Sequence, residues 1–232
     1  HTLIARSNLA RYRGEADDAA GAAAAFEQLL NDRLRVLGED HPRTLATRHN
    51  IAHWRGKAGD AAGAAAAFEQ LLTDQIRVQG EDHPHTLTIR HNLAYWRGKA
   101  GDAAGAAAAF EQLLTDQIRV QGEDHPHTLT IRRSLAYWRG EAGDAAGAAA
   151  AFEQLLPGLI RLQGEDHPHT LNTRSNLARW RGKAGDAAGA AAAFEQLLTD
   201  QIRVLGEDHP HTLNTRSNLA QWRKKAEQTP RV

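Results

Sequence analysis

The pentapeptide Gly-Glu-Asp-His-Pro begins at Gly38, Gly80, Gly122, Gly164 and Gly206, each 42 residues after the last. No insertion disturbs the interval. A fixed period of this length constrains a chain more than its composition does, because each unit is then one supersecondary element. Such an element cannot bury its apolar face alone, so neighbouring units must stack. The period divides the chain, read as a single repeat domain over 1–232, into five units: 1–42, 43–84, 85–126, 127–168 and 169–210. A half-unit helix over 211–226 and a short tail over 227–232 complete it.

Each unit reads as two helices. In the third, Pro84 suits the first helical position, with Asp82 or His83 before it as the cap. Helix A is predicted over about 84–100, where Ile89, Leu93, Trp96 and Ala100 recur at helical spacing. Gly101 and Asp102 read as a turn followed by an N-cap. Helix B is predicted over 103–121, with an apolar stripe of Phe110, Leu113, Leu114 and Ile118, and Gly122 ends it. The run Ala106–Ala109 is small on every side, which lets two helix backbones approach closely. Nothing alternates with period two, so strands are excluded. The fold class expected is all-α, an α-solenoid of antiparallel helix pairs.

Composition closes off several functions. Twenty-eight basic residues balance 28 acidic ones, so the basic footprint of a nucleic-acid binder is missing. No run of about 18 uncharged apolar residues exists to cross a membrane. Cysteine is absent, which removes disulfides and thiolate metal sites and fits a reducing, cytoplasmic compartment. Methionine is absent too, even at position 1, so a processed or excised piece of a longer protein is expected. Richness in Ala, Gly and Arg suggests a GC-rich bacterium.

The stretch from Asn92 to Leu114 resembles a tetratricopeptide repeat. The family's small residue on helix A is matched by Ala94, its turn by Gly101 and Asp102, and its small and aromatic positions on helix B by Ala106 and Phe110. The family period is usually about 34 residues; the longer one here is similar to the kinesin-light-chain type, common also in actinobacterial repeat proteins. The resemblance spans the whole chain and implies a right-handed superhelix whose concave face, lined by helix A, binds extended peptides. It also implies a scaffold or sensor part of a larger bacterial signalling protein. Two features depart from the family pattern. The helix A aromatic comes one place early, as Trp54, Trp96, Trp138, Trp180 and Trp222, with Arg55, Arg97 and Arg139 where a tyrosine is usual; Leu71, Leu113 and Leu155 replace the second small residue of helix B.

Comparing the units within the chain locates the changes. One edited column holds Ile4, Ala46, Thr88, Thr130, Asn172 and Asn214; the next holds Ser7, His49, His91, Arg133, Ser175 and Ser217. Then come Arg11, His53, Tyr95, Tyr137, Arg179 and Gln221, and finally Glu15, Lys57, Lys99, Glu141, Lys183 and Lys225. Steps of three and four put these columns on one stripe of helix A. A neighbouring column, Ala5, Thr47, Ile89, Ile131, Thr173 and Thr215, also varies. Beside the stripe runs a row of carboxamides, Asn8, Asn50, Asn92, Asn176 and Asn218, interrupted by Ser134. By the resemblance, the row pairs with a peptide backbone and the stripe reads its side chains, through His49, His53, Lys57, Thr88, His91, Tyr95, Lys99, Arg133, Tyr137, Arg179 and Lys183. The alternative is a solvated face that drifts because nothing constrains it, with the asparagines capping or bridging helices.

Other chemistry is weighed and set aside. Glu81–His85 and its copies pair two imidazoles with two carboxylates, but no ligand from a third element is evident, so no metal and no cofactor are expected. The repeated Ser, His and Asp residues recur identically, unlike the single asymmetric constellation of an enzyme. Arg48, Arg90 and Arg132, with Glu69, Glu111 and Glu153, are expected to pair within or between units. In the fourth unit Pro157 and Gly158 replace Thr-Asp, which predicts a kink or break of helix B near Glu153–Gly158. Near-identical units also leave the solenoid ends open to head-to-tail self-association.

Overall fold

The computed structural model describes residues 2–228. They form eleven α-helices: α1 (Thr2–Glu15), α2 (Ala19–Leu37), α3 (Pro42–Lys57), α4 (Ala61–Gln79), α5 (Pro84–Lys99), α6 (Ala103–Gln121), α7 (Pro126–Glu141), α8 (Ala145–Gln163), α9 (Pro168–Lys183), α10 (Ala187–Leu205) and α11 (Pro210–Gln228). Odd-numbered helices are helix A of their repeat and even-numbered ones helix B, and the fold is an all-α solenoid. The last helix is longer than expected and takes in 227–228, while 229–232 of the expected tail lie outside the described residues. The chain forms two compact blocks, His1–Val120 and Gln121–Val232.

Helix termination follows local chemistry. Of the two cap candidates histidine serves: His83 Nδ1 accepts the His85 N–H at 3.1 Å. Asp82 instead faces Arg119, at 2.7 and 2.5 Å from its two carboxylate oxygens. Asp60 and Asp102 cap helix B as expected, each accepting the N–H of a first-turn glycine at 2.8 Å. Ala100 ends α5 in the open rather than extending its apolar stripe.

Within each block, the aromatic placed one position early has a structural role. A Cβ added at Gly56 would lie 2.5 Å from the Trp96 ring, and one at Gly140 would lie 2.6 Å from Trp180. The indole therefore rests on the bare backbone of the preceding helix A. Trp180 is fully buried there, over a core of Phe152, Ala148 and Leu177. Beside four of the tryptophans an arginine reaches the helix B before it: Arg55 to Glu27, Arg97 to Glu69, Arg181 to Glu153 and Arg223 to Glu195, at 2.5–2.7 Å. The expected pairing of Arg48 and Arg90 with those glutamates is thus corrected. Arg48 binds Asp74 and Arg90 binds Asp116, toward the C-terminal end of helix B of their own repeat.

The fourth repeat differs. Helix α8 runs unbroken from Ala145 to Gln163 through Pro157, so the expected break does not occur. Pro157 stands on the exposed face, where water can serve the Glu153 carbonyl that loses its amide partner. Leu159 occupies a position that is a buried glutamine in three other repeats, and it packs with Leu129 and Leu155. That added apolar burial offsets part of the proline cost. With Gly158 in place of aspartate, Arg132 turns to Glu123 at 3.3 Å, and Arg161 meets Asp124 at 3.6 Å.

Candidate functional site

The edited columns of helix A separate by depth. In α5, Thr88 and Lys99 are exposed while His91 and Tyr95 are half-buried. The neighbouring edited column is exposed at Ala5 but core in every later repeat: Thr47, Ile89, Ile131, Thr173 and Thr215 are all buried. Its changes are packing changes.

Two clefts open at the same register, one in each block. The first holds about 210 Å³ between α3, the end of α4 and the start of α5. Ala46, His49 and Asn50 form one wall, His85 and Thr88 the other, and Gln75 the floor. The second holds about 470 Å³ between α9, the end of α10 and the start of α11. There Asn172 and Ser175 face His211 and Asn214 over Gln201, and Arg133 joins from α7. The N-terminal half of the edited stripe therefore lines recesses between successive A helices.

The C-terminal half is engaged with itself. Tyr137 meets the Trp138 and Trp180 rings edge-on at 5.1 and 6.1 Å. Arg179 lies over Trp180 at 4.9 Å and binds Glu141 at 2.6 Å, and Lys183 sits 4.3 Å above the same indole. Lys99 lies 5.7 Å over Tyr95, and His53 meets Trp54 edge-on at 5.0 Å. Lys57 and Asn8 stand exposed, outside both clefts.

His49 and His91 meet the core phenylalanines Phe68 and Phe110 edge-on at 5.2 and 5.1 Å. Burial pushes His49 down to about 4, with smaller contributions from His53 and His85. Burial, then Lys57, also lowers His53. Burial raises the Tyr95 and Tyr137 phenols. His49, His53 and the two tyrosines therefore present neutral, amphipathic surfaces at pH 7.

The asparagine row spends part of its donors locally. Asn92 Nδ2 donates to the Thr88 carbonyl at 3.0 Å, Asn176 to the Asn172 carbonyl at 3.0 Å, and Asn218 to Asn214 Oδ1 at 2.7 Å. Such i to i−4 bonds hold each carboxamide against its own helix.

The floor column was missed by sequence reasoning. Arg33, Gln75, Gln117, Leu159 and Gln201 are all buried. Their signal was available: Phe110, Leu113 and Gln117 continue one helical stripe, so a polar residue recurring there marks a buried amide. Among the described residues no group of three or more His, Cys, Asp or Glu side chains converges as a metal site would. Among them, too, no helix is long and apolar enough to cross a membrane.

The family profile for the tetratricopeptide repeat matches residues 2–43, 44–85, 86–127 and 170–211, leaving out the repeat with Pro157. No curated protein matches the chain. Among solved structures, the chain is similar to a Podosopora anserina protein described as a kinesin light chain with nearly identical TPR-like repeats. The identity is 25%, the TM-score 0.74, and the match covers 87% of this chain and 95% of that one. It is also similar to BtubC (BKLC) from P. vanneervenii, at 22% identity and TM-score 0.71 over 88% and 81% of the two chains. NprR in complex with its cognate peptide NprX shares the fold at 15% identity and TM-score 0.67, over 98% and 63%. With four repeats matched and helix pairs stacked within each block, the chain belongs to the tetratricopeptide repeat family.

Proposed function

We propose that the edited stripe of helix A binds an extended peptide segment of a protein partner. One observation carries this reading: the two N-terminal edited columns line clefts in both blocks, while columns that stay constant build the tryptophan seats and the arginine–glutamate pairs beside them. A solenoid typically recognises partners along such a stripe, and editing one column at a time changes side-chain preference without disturbing the stack. The peptide-bound relative of like fold supports the same use. The role is non-catalytic, as the recognition part of a larger bacterial signalling protein in the cytoplasm.

A peptide array probed with the whole chain tests this. Asn50→Ala with Asn92→Ala, and separately His49→Ala with Thr88→Ala, should each weaken capture about tenfold, the loss of one or two hydrogen bonds. Capture that is unchanged in both variants would reject the stripe as the binding surface.

A further inference from the structure

We infer that the second cleft is a phosphoryl site, which takes the phosphate of a phosphorylated side chain in the bound peptide. The inference rests on the peptide reading above and narrows it. Charge is the first ground. Arg133, His169, His209 and His211 line the cleft and no Asp or Glu does. Burial is the one influence on the Arg133 guanidinium, and no carboxylate compensates it. Burial first, and then Arg133, hold His169 below its ordinary range, as a positive field does.

The floor is the second ground. Gln201 is 4% exposed, and its Oε1 is buried without a hydrogen-bond partner. In the first cleft the equivalent Gln75 is closed by a bond to Gln79. The corresponding residue in the second is Leu205, which offers the Gln201 NH₂ no such acceptor. With Oε1 buried, the NH₂ is the end of this amide that can serve a ligand, with two N–H donors.

Lining side chains whose acceptor atoms are already engaged are the third ground. His209 Nδ1 accepts the His211 N–H at 3.2 Å, so its own proton sits on Nε2. Asn214 Oδ1 accepts from Asn218, which leaves its NH₂ for the cleft. Arginine alone brings five N–H donors in a fork suited to oxyanions. A carboxylate uses few of these groups, whereas a phosphoryl dianion with three terminal oxygens uses most, and about 470 Å³ admits it with its side chain. The first cleft has less than half that volume, and Ser7 stands at the position of Arg133, so it suits a neutral side chain.

The test uses the full chain with isotope-labelled histidines, titrated with O-phospho-L-serine, inorganic phosphate, serine and acetate. Phosphoserine and phosphate should shift the rings of His169, His209 and His211 saturably, and serine and acetate should not. Arg133→Ser, which copies the side chain of Ser175 and Ser217, should weaken phosphoserine at least about tenfold, the loss of a charge-assisted pair. Gln201→Leu, which copies Leu159, should weaken it about fivefold, the loss of one hydrogen bond. Both variants borrow residues the repeat already tolerates, and circular dichroism checks that they fold. No saturable shift, a shift that survives Arg133→Ser, or acetate acting as well as phosphoserine would overturn the site. Capture of a phosphopeptide pool, abolished by phosphatase treatment, supports the peptide source; binding of free phosphate with no phosphopeptide captured overturns it. Capture of unphosphorylated peptides with a silent phosphoserine titration sinks this inference and leaves the peptide reading standing.

Discussion

The clefts at Gln75 and Gln201 occupy the same register of the same repeat, yet one is smaller and lacks an arginine, while the other is larger and cationic. Besides Ala46 becoming Asn172 and Thr88 becoming Asn214, three substitutions make the difference. Glutamine becomes Leu205, which frees the floor amide; His49 becomes Ser175, which widens the wall; and Ser7 becomes Arg133, which adds the charge. None touches a tryptophan seat. The comparison teaches that the scaffold and the recognition surface are carried by different columns and can change separately.

The largest expected effect attacks what both clefts share. Gly56→Val and Gly140→Val each push a side chain into an indole that already touches the backbone. Each should cost about 2–3 kcal/mol, as overpacking of a tight site does. Urea denaturation followed by tryptophan fluorescence should show the same loss for both, and a harmless variant at either place would show that the two clefts do not share this foundation.

Next in size is the acid response, which should separate the blocks. His49 is held near 4 in the folded chain against an ordinary 6.5, so the unfolded state binds the extra proton as pH falls. Its contribution is complete above about pH 6.5 and is lost toward pH 4, worth about 2 kcal/mol after allowance for partial exposure. Wild type should lose stability across that window by urea titration, and His49→Ser should flatten the profile. An unaltered slope in the variant would assign the acid response elsewhere.

The smallest effect concerns the repeat that supplies Arg133. Gly158→Asp restores the aspartate that Arg132 and Arg161 lack, and replaces a glycine inside a helix. Helix propensity contributes about 0.5 kcal/mol and exposed pairs add little. A rise of a few degrees in the melting temperature is expected, while a fall would mean that Pro157 and Gly158 are needed together.

Much of this fold was legible from letters alone. The 42-residue interval gave the number of hairpins, and the Gly-Asp turn marked where each hairpin after the first reverses. The kink was misjudged because a proline's cost depends on which face it occupies, and Pro157 is on the solvent side with Leu159 compensating beneath it. The ion pairs were assigned to the wrong partners because spacing along a helix says which residues share a face, not which neighbour they reach. The stripe was visible as editing. Its division into cleft walls and an aromatic half paired with itself was not, because that depends on how deeply each position sits. The floor glutamines passed unnoticed for the same reason, since a polar letter on an apolar stripe is informative only once burial is considered.

The most direct measurement is amide and side-chain chemical-shift mapping of a captured peptide on the full chain. Shifts should concentrate at Ala46, His49, Thr88, Asn172, Ser175 and Asn214. Shifts confined to the outer face of helix B, or to the exposed Leu9 and Tyr12 of α1, would contradict recognition by the edited stripe.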